Sequence, residues 1–544
     1  MRTARPGAGS LYAAGMLLAL AIGPRNFLTN DDVAMNALAS GAFTGEPDAR
    51  WVFTGPLISV PISALYRAAG DVPWYALTYY CLQLLAGAML VRVLVRKGSG
   101  RATPAIAVAI ASLAIVQHWL LTFLSFTGTA FILALAAVAW VLDDESDRRD
   151  AVIALALLFA ATTIRSDAVI GLVAVATPAL LLSRRPRAIA AFAGSALTAF
   201  TANAILTRLL FGSDYREFLE YDELRGSLHA TPRVSAEAMS PELLQAVNWT
   251  GVDRGMFVWF LHDDPSRFSA TQLETIAAGT EAARLPFDLD AFLDIVALRY
   301  PTLLIALGVI LFVHARGPRP SRAAVAAAVT VIGVGAMTWL WLTQRLPSRV
   351  ALPLWLSLIV VAALAPAARA TDAEPSNAKP RRATVRIGLA CAAGLLIVTV
   401  VFTDLDPRRT RLIASDFQRA NAELEILIEG ADQTPIVAYG GALVVEGGDP
   451  LNGPTSFEPA RHLPLGWWVF SPMFEDRKDG AGVEAPLLAP LIDEDARFLG
   501  PERVAAYYAP YLTREAGEGA LVKDRCSALV PDTCVWRYER DTNP

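Results

Sequence analysis

The sequence predicts an α-helical polytopic membrane protein with about eleven transmembrane helices and a small extracytoplasmic α/β domain at its C-terminal end. Three observations predict it. Of 544 residues, 54% are hydrophobic and only 18% are charged, with a mean hydropathy of +0.41, which is more apolar than a soluble chain of this length. Apolar runs recur at close to the ~20 residues that a helix needs to cross hydrocarbon with every backbone group paired internally. Arginines gather in alternate gaps between those runs.

Taken in order, the expected spans are 10–28, 73–95, 103–124, 128–142, 151–165, 168–183, 188–211, 298–315, 322–343, 352–369 and 386–403. Short loops rich in Lys and Arg are retained in the cytoplasm. With Arg2 and Arg5 inside, the alternate connections carry Arg96, Lys97 and Arg101, then Arg148 and Arg149, then Arg184, Arg185 and Arg187. Arg316, Arg319 and Arg322 continue the series, and Lys379, Arg381, Arg382 and Arg386 end it. Each expected inside loop is basic, so the pattern supports the span count and the direction together. The expected location is the plasma (inner) membrane, multi-pass, with a cytoplasmic N-terminus; the first apolar run lacks a nearby small-residue cleavage site and reads as an uncleaved span.

Two domains follow. Residues 1–403 form a transmembrane domain with outer loops 29–72 and 212–297, and residues 404–544 form an extracytoplasmic α/β domain. Helical periodicity around Tyr215 to Leu228 and Pro241 to Phe260 makes the second loop a folded cap. The strand-like Pro435 to Val445 and the amphipathic helix Leu412 to Glu429 give the C-terminal part its α/β character. The segment Thr371 to Arg382 reads as a flexible linker. A net charge of -5, unevenly spread, says little about partners, and no nucleic acid is expected among them.

Four cysteines are too few for a disulfide framework. Cys81 and Cys391 lie in apolar runs and read as small buried hydrophobes. Cys526 and Cys534 sit close together in the polar C-terminal part, where an oxidising compartment would let them close a disulfide. The five histidines show no zinc-site spacing.

The stretch that offers chemistry is Thr29-Asn30-Asp31-Asp32, just beyond the outer end of the first span and at the start of an expected helix, Asp31 to Ser40. Asn30 or Asp31 fits a helix cap there. The functional reading is a general base or electrostatic stabiliser, since partial burial raises a carboxylate pKa. Neighbours on a helix point about 100° apart, so one of the pair faces a reacting atom while the other caps, orients or binds a metal. The paired acids are also a place for a divalent ion such as Mg or Mn; nothing else in the sequence demands a cofactor.

A first span followed by an outer loop with an Asp-Asp pair, many further spans and an outer C-terminal domain resembles the GT-C superfamily of glycosyltransferases. The pair is similar to that of protein mannosyltransferases and mycobacterial arabinosyltransferases. The resemblance implies a polyprenyl-phosphate-linked sugar as donor, a glycan or protein of the cell envelope as acceptor, and Asp31 or Asp32 as the base.

Such a donor places a phosphate at the outer leaflet, which asks for cations at outer helix ends. Arg165, beside Asp167, falls in one tight outer turn, and Arg345 and Arg349 fall in another. Arginine outside runs against the general bias, and its planar fork suits a phosphate. Snorkelling to headgroups, or pairing of Arg165 with Asp167, is the structural alternative. His118, near the outer end of the third span, and Tyr79, in the second, are secondary contacts in this reading, with simple packing as the alternative. Aromatic and charged residues of the cap (Tyr215, Tyr221, Asp222, Arg225, Trp249, Asp253, Trp259, Asp263) fit a carbohydrate groove or a membrane interface, and the run Gly466 to Phe474 fits core, interface or groove. A membrane glycosyltransferase is therefore the leading function. An envelope oligosaccharide polymerase or ligase, or a non-enzymatic glycan or lipid transporter or assembly scaffold, is the alternative. Donor sugar, acceptor and oligomeric state are not legible.

Overall fold

In a computed structural model the described residues are 7–98, 103–230, 239–280, 289–294, 300–317, 320–343, 346–366, 394, 405, 407–429, 435–439, 448–452, 462–483, 487, 491–492, 496–517, 519–529 and 532–540. The eleventh expected span, Cys391 and the linker 371–382 lie outside the described residues, Gly394 apart.

Helix α1 (Ala8–Ile22) ends at Gly23 and leads into the two-residue strand β1 (Asn26–Phe27) and helix α2 (Asn30–Ser40). The cap of α2 is Thr29, whose hydroxyl accepts from the Asp32 N–H, rather than Asn30 or Asp31. The helix stops where Gly41 takes φ +86°, a left-handed conformation that suits glycine. Pro56 opens α3 (Pro56–Ala68), its fixed φ suiting a first helical turn.

The helices α4 (Trp74–Lys97), α5 (Thr103–Thr122), α6 (Phe126–Val141), α7 (Arg148–Ile164), α8 (Ser166–Leu181) and α9 (Pro186–Leu210) then run back and forth. Strand β2 (Phe123–Leu124) pairs in parallel with β1. Ser125 caps α6, and Asp147 and Asp150 form a capping box on α7. The intervening segment carries α10 (Ser213–Ala230), α11 (Pro241–Ala246), α12 (Gly251–Val258), α13 (Ala270–Gly279) and α14 (Leu289–Leu293), in line with the expected folded cap. Helices α15 (Pro301–Ala315), α16 (Pro320–Thr343) and α17 (Ser348–Ala363) complete the described bundle.

Among the described residues α4, α5, α9 and α16 are long and apolar enough to cross a membrane, and α1, α6, α8, α15 and α17 are shorter apolar helices. The chain is a helical membrane protein. Helix α6 is buried along its whole length and α17 along nearly all of it, so these two form the centre. Helix α9 is the opposite: 11% of its apolar stretch is buried, and Leu197, Phe200 and Leu209 point outward as a lipid-facing surface would. Cys81 corrects the sequence expectation, because it sits on the exposed face of α4 rather than inside.

One row of polar side chains between the helices is paired. Tyr12 donates to Gln117 at 2.8 Å, Gln117 to the Gln83 carbonyl at 2.7 Å, and Gln83 to Thr129 at 2.8 Å. The chain ties α1, α5, α4 and α6 together, at roughly 0.6 kcal/mol per bond in a membrane. At one end of the bundle Arg96 bridges Asp143 (2.5 Å) and Asp150 (2.6 Å), and Arg185 caps the end of α6 through the carbonyls of Trp140 and Asp143. The acid pair belongs to the opposite ends of α4 and α6, where Tyr75 and Phe126 lie.

The C-terminal part contains α18 (Pro407–Glu429), β3 (Ile436–Ala438), β4 (His462–Pro464), α19 (Pro472–Ala481), β5 (Arg497–Pro501), α20 (Glu502–Ala516), β6 (Gly519–Cys526) and β7 (Thr533–Arg540). The strands form one sheet in the order β4-β3-β5-β7-β6. Strand β3 runs parallel to β4 and β5, and β7 antiparallel to β5 and β6. Strand β3 is shorter than the Pro435 to Val445 segment expected, whose residues 440–445 lie outside the described ones. Cys526 and Cys534 face each other across β6 and β7 and are joined as a disulfide.

This part clasps the first connecting segment. Arg25 grips Asp449 with contacts of 2.6 to 3.1 Å, and Gln418 donates to the Arg25 carbonyl. Arg50 bridges Asp48 and Asp476, both at 2.6 Å. Arg477 donates to the carbonyls of Ala42 and Phe43 and lies over the Phe43 ring. The run Gly466 to Phe474 resolves as core rather than groove: Trp467 packs edge-on to Phe53 and Trp468 to Phe43.

Candidate active site

The two adjacent acids occupy different surroundings. Asp32 is fully buried, and its carboxylate accepts three hydrogen bonds: from the Thr29 hydroxyl at 2.7 Å, the Tyr75 hydroxyl at 3.0 Å and the Phe126 N–H at 2.8 Å. The three donors come from the cap of α2, from α4 and from α6, so the side chain pins the start of α2 to the bundle. Burial pushes the Asp32 carboxyl up to about 7, against the opposing pull of the Thr29 hydroxyl, the Phe126 N–H and the Tyr75 hydroxyl.

Asp31 points elsewhere, as the helical offset requires. Its Oδ2 lies 3.5 Å from Arg349 Nη1 at the start of α17, a residue 318 positions away. Burial raises its pKa, and the charges of Arg349, Arg165 and Arg225 work against that rise while Asp222 adds to it. Five charged side chains from α2, the α7–α8 turn, α10 and α17 therefore share one neighbourhood. The cap supplies Arg225 and Asp222, joined at 2.5 Å, with the guanidinium also over the Phe260 ring.

Arg165 stands at the turn between α7 and α8, its guanidinium 5.7 Å from the rings of both Phe53 and Phe126 and 3.3 Å from Asp167. Asp167 is thus a partner of Arg165, as the structural alternative has it. Arg165 lines a half-open cavity of about 320 Å³ together with Phe53, Thr54, Asn203, Thr207 and Tyr215. One side of the cavity is the exposed helix α9, and Asp31 is not part of its lining.

The other expected residues divide. Tyr79 is fully buried behind Asp32, its ring 4.6 Å from that of Tyr75, and its hydroxyl is 3.5 Å from Thr54 Oγ1. His118 is not among the groups acting on the acid pair; its charged neighbour is Arg411 of α18. Arg345 lies outside the described residues. Among them no group of three or more His, Cys, Asp or Glu side chains converges, and the cation in contact with Asp31 is the Arg349 guanidinium. The aromatic residues of the cap are structural in part: the Trp249 indole donates to the Arg267 carbonyl at 2.6 Å, and Asp253 is held by Arg514.

Tyr75, Thr54 and the Phe126 N–H are the site groups that sequence reasoning missed. The spacing of Tyr75 and Tyr79, four apart and so on one helix face, was a signal for the first of them. A backbone N–H brought from a distant helix start leaves none.

No protein-family model matches the chain, and no curated protein matches it. Over 97% of each chain it is similar to the crystal structure of ArnT from Cupriavidus metallidurans bound to undecaprenyl phosphate, at 14% identity and a TM-score of 0.36. The structure of the same protein in the apo state gives 12% identity and a TM-score of 0.37, with the same coverage.

Proposed function

We propose that the chain is a GT-C-type membrane glycosyltransferase that moves a sugar from a polyprenyl-phosphate donor to a cell-envelope acceptor on the extracytoplasmic face, with inversion at the sugar carbon. The observation that carries this reading is the meeting of Asp31 with Arg349 at 3.5 Å in the field of Arg165 and Arg225. Cations that can hold a leaving phosphate stand beside carboxylates that can take the acceptor's proton, which is the pairing that glycosyl transfer needs. Arg349 and Arg165 are the donor-phosphate ligands in this reading, and the acid pair supplies the base. The basic end of the bundle, opposite the acids, supports a cytoplasmic N-terminus and an extracytoplasmic site.

The experiment is transfer in proteoliposomes that hold the full chain and a panel of synthetic polyprenyl-phosphate pentoses and hexoses, with release of polyprenyl phosphate as the readout. Release that disappears in Asp31→Asn combined with Asp32→Asn, in protein that still elutes as a folded species, supports the assignment. Release that persists in the double variant, or absence of release from the whole panel with the unaltered chain, sinks it.

A further inference from the structure

Asp32 presents a puzzle that the proposed function leaves open. Its carboxyl is poised near neutrality, where a general base works best, yet the side chain is fully buried and each donor on it belongs to the protein. No acceptor hydroxyl can touch it. The hydroxyl groups packed behind it lead out again. Tyr75 donates to Asp32 Oδ1 at 3.0 Å. Tyr79 stands on the next turn of the same helix face with its ring centroid 4.6 Å from that of Tyr75, and Thr54 Oγ1 lies 3.5 Å from the Tyr79 hydroxyl. Thr54 is a wall of the cavity that holds Arg165. Tyr75 and Tyr79 are fully buried and Thr54 nearly so, so the row of hydroxyls is screened from bulk water between its two ends. Phe27 and Trp51 close its flanks with their rings against Tyr75.

We propose that Thr54, Tyr79 and Tyr75 form a proton relay from the cavity to Asp32, and that the acceptor hydroxyl of the transfer reaction loses its proton through it. This rests on the reading of the chain as a glycosyltransferase and adds the route by which its buried acid acts. The acceptor hydroxyl gives its proton to Thr54 Oγ1 as the Thr54 proton passes to Tyr79, that of Tyr79 to Tyr75, and that of Tyr75 to the Asp32 carboxylate. The freed oxygen pair forms the bond to the anomeric carbon. The bond from that carbon to the donor phosphate oxygen breaks, and its electron pair leaves with the phosphate. Thr54 is the catalytic residue of the set, and Tyr79 and Tyr75 position and pass the proton.

Two measurements on the full chain test it. In the proteoliposome assay Tyr79→Phe and Thr54→Val are expected to lose about a hundredfold in turnover, the lower end of what a placed proton acceptor contributes. Thr54→Ser recovers most of that loss, and the solvent deuterium isotope effect changes. Tyr80→Phe is the control, since Tyr80 is a buried neighbour on the same helix whose hydroxyl has no hydrogen-bond partner among the described residues; it keeps the original rate. The second readout needs no substrate. The carboxylic C=O infrared band that vanishes in Asp32→Asn is followed after transfer to D2O, and its exchange slows by a similar factor in Tyr79→Phe but not in Tyr80→Phe. Unchanged turnover and exchange in Tyr79→Phe, or equal slowing in Tyr80→Phe, overturns the relay. If the panel of donors gives no transfer with the unaltered chain, the glycosyltransferase reading fails, while the infrared result still decides the relay.

Discussion

Arg514 of α20 holds Asp253 of α12 through both arms of its guanidinium, Nη2 to Oδ1 at 2.8 Å and Nη1 to Oδ2 at 3.0 Å, and so fastens the cap to the C-terminal sheet domain. Arg267 joins the same carboxylate at 3.5 Å and reaches Glu515 at 2.9 Å. The Asp253 side chain is fully buried. Arg267 and the Thr250 hydroxyl still face the carboxylate when Arg514 is removed, so the loss is that of hydrogen bonds to a charged group, about 1.5–3 kcal/mol. Arg514→Ala is therefore expected to lower the unfolding midpoint and raise hydrogen exchange in α12 and α20, while α4 to α6 stay protected.

The same pair gives a pH dependence. Burial pushes the Asp253 carboxyl up, but the hydrogen bonds from Arg514 and Thr250 outweigh it and hold the group below the usual carboxylate range. A depressed acid stabilises the fold above its unfolded value of roughly 4, and that contribution is lost as pH falls through the folded value. Opening of the cap on acidification, followed by exchange at α12, is expected at higher pH in Arg514→Gln than in the unaltered chain.

Asp32 has the opposite sign. Its folded value of about 7 lies above the unfolded one, so the folded chain binds the extra proton, and stability falls as pH rises between roughly 4 and 7, by up to about 1.4 kcal/mol per pH unit. Asp32→Asn removes that slope. Thermal unfolding measured across this range in detergent is the check, and an equal slope in the variant refutes the assignment.

Asp31 and Arg349 are expected to act in opposite directions on an anion. On the proposed function Arg349→Gln removes a phosphate ligand and is expected to weaken the binding of polyprenyl phosphate by about tenfold, or 1.4 kcal/mol. Asp31→Asn removes a repelling charge, frees Arg349 and tightens the same binding while transfer falls. Titration of the two variants with polyprenyl phosphate in nanodiscs separates these outcomes.

Gly9 lets α1 approach α4 closely: a Cβ there would collide with the Ala88 carbonyl oxygen, and the obstacle is backbone. Small residues permit such approach between membrane helices. Gly9→Leu forces the helices apart at a cost of roughly 1–3 kcal/mol, seen as a lower unfolding midpoint.

Much of this was legible in the sequence where the physics is local. The helices long and apolar enough to cross a membrane, α4, α5, α9 and α16, follow from runs of apolar residues, and the cap helices from their periodicity. The Cys526–Cys534 bond follows from two thiols in a polar segment, and the place of Asp31 and Asp32 in the first turn of a helix from the residues that favour helix starts. The separate surroundings of the two acids were not legible, because they are set by Tyr75, Phe126 and Arg349, which lie 43, 94 and 318 positions from the acids they touch. Thr29 rather than Asn30 caps α2, since Ser, Thr, Asn and Asp compete closely for that position. Cys81 faces outward for a related reason: in a membrane both sides of a helix are apolar, so composition does not tell lipid from core.

The grip of Asp449 on Arg25, with Asp476 on Arg50 and Arg477 on the Phe43 carbonyl, also has a bearing on biogenesis. A ribosome makes residues 25–50 long before residues 449–477. Until the later stretch has been translated and has folded against it, the segment around the acids lacks these three anchors. Nascent chains therefore carry an incompletely fastened acid pair, and the first-made and last-made parts of the polypeptide mature together.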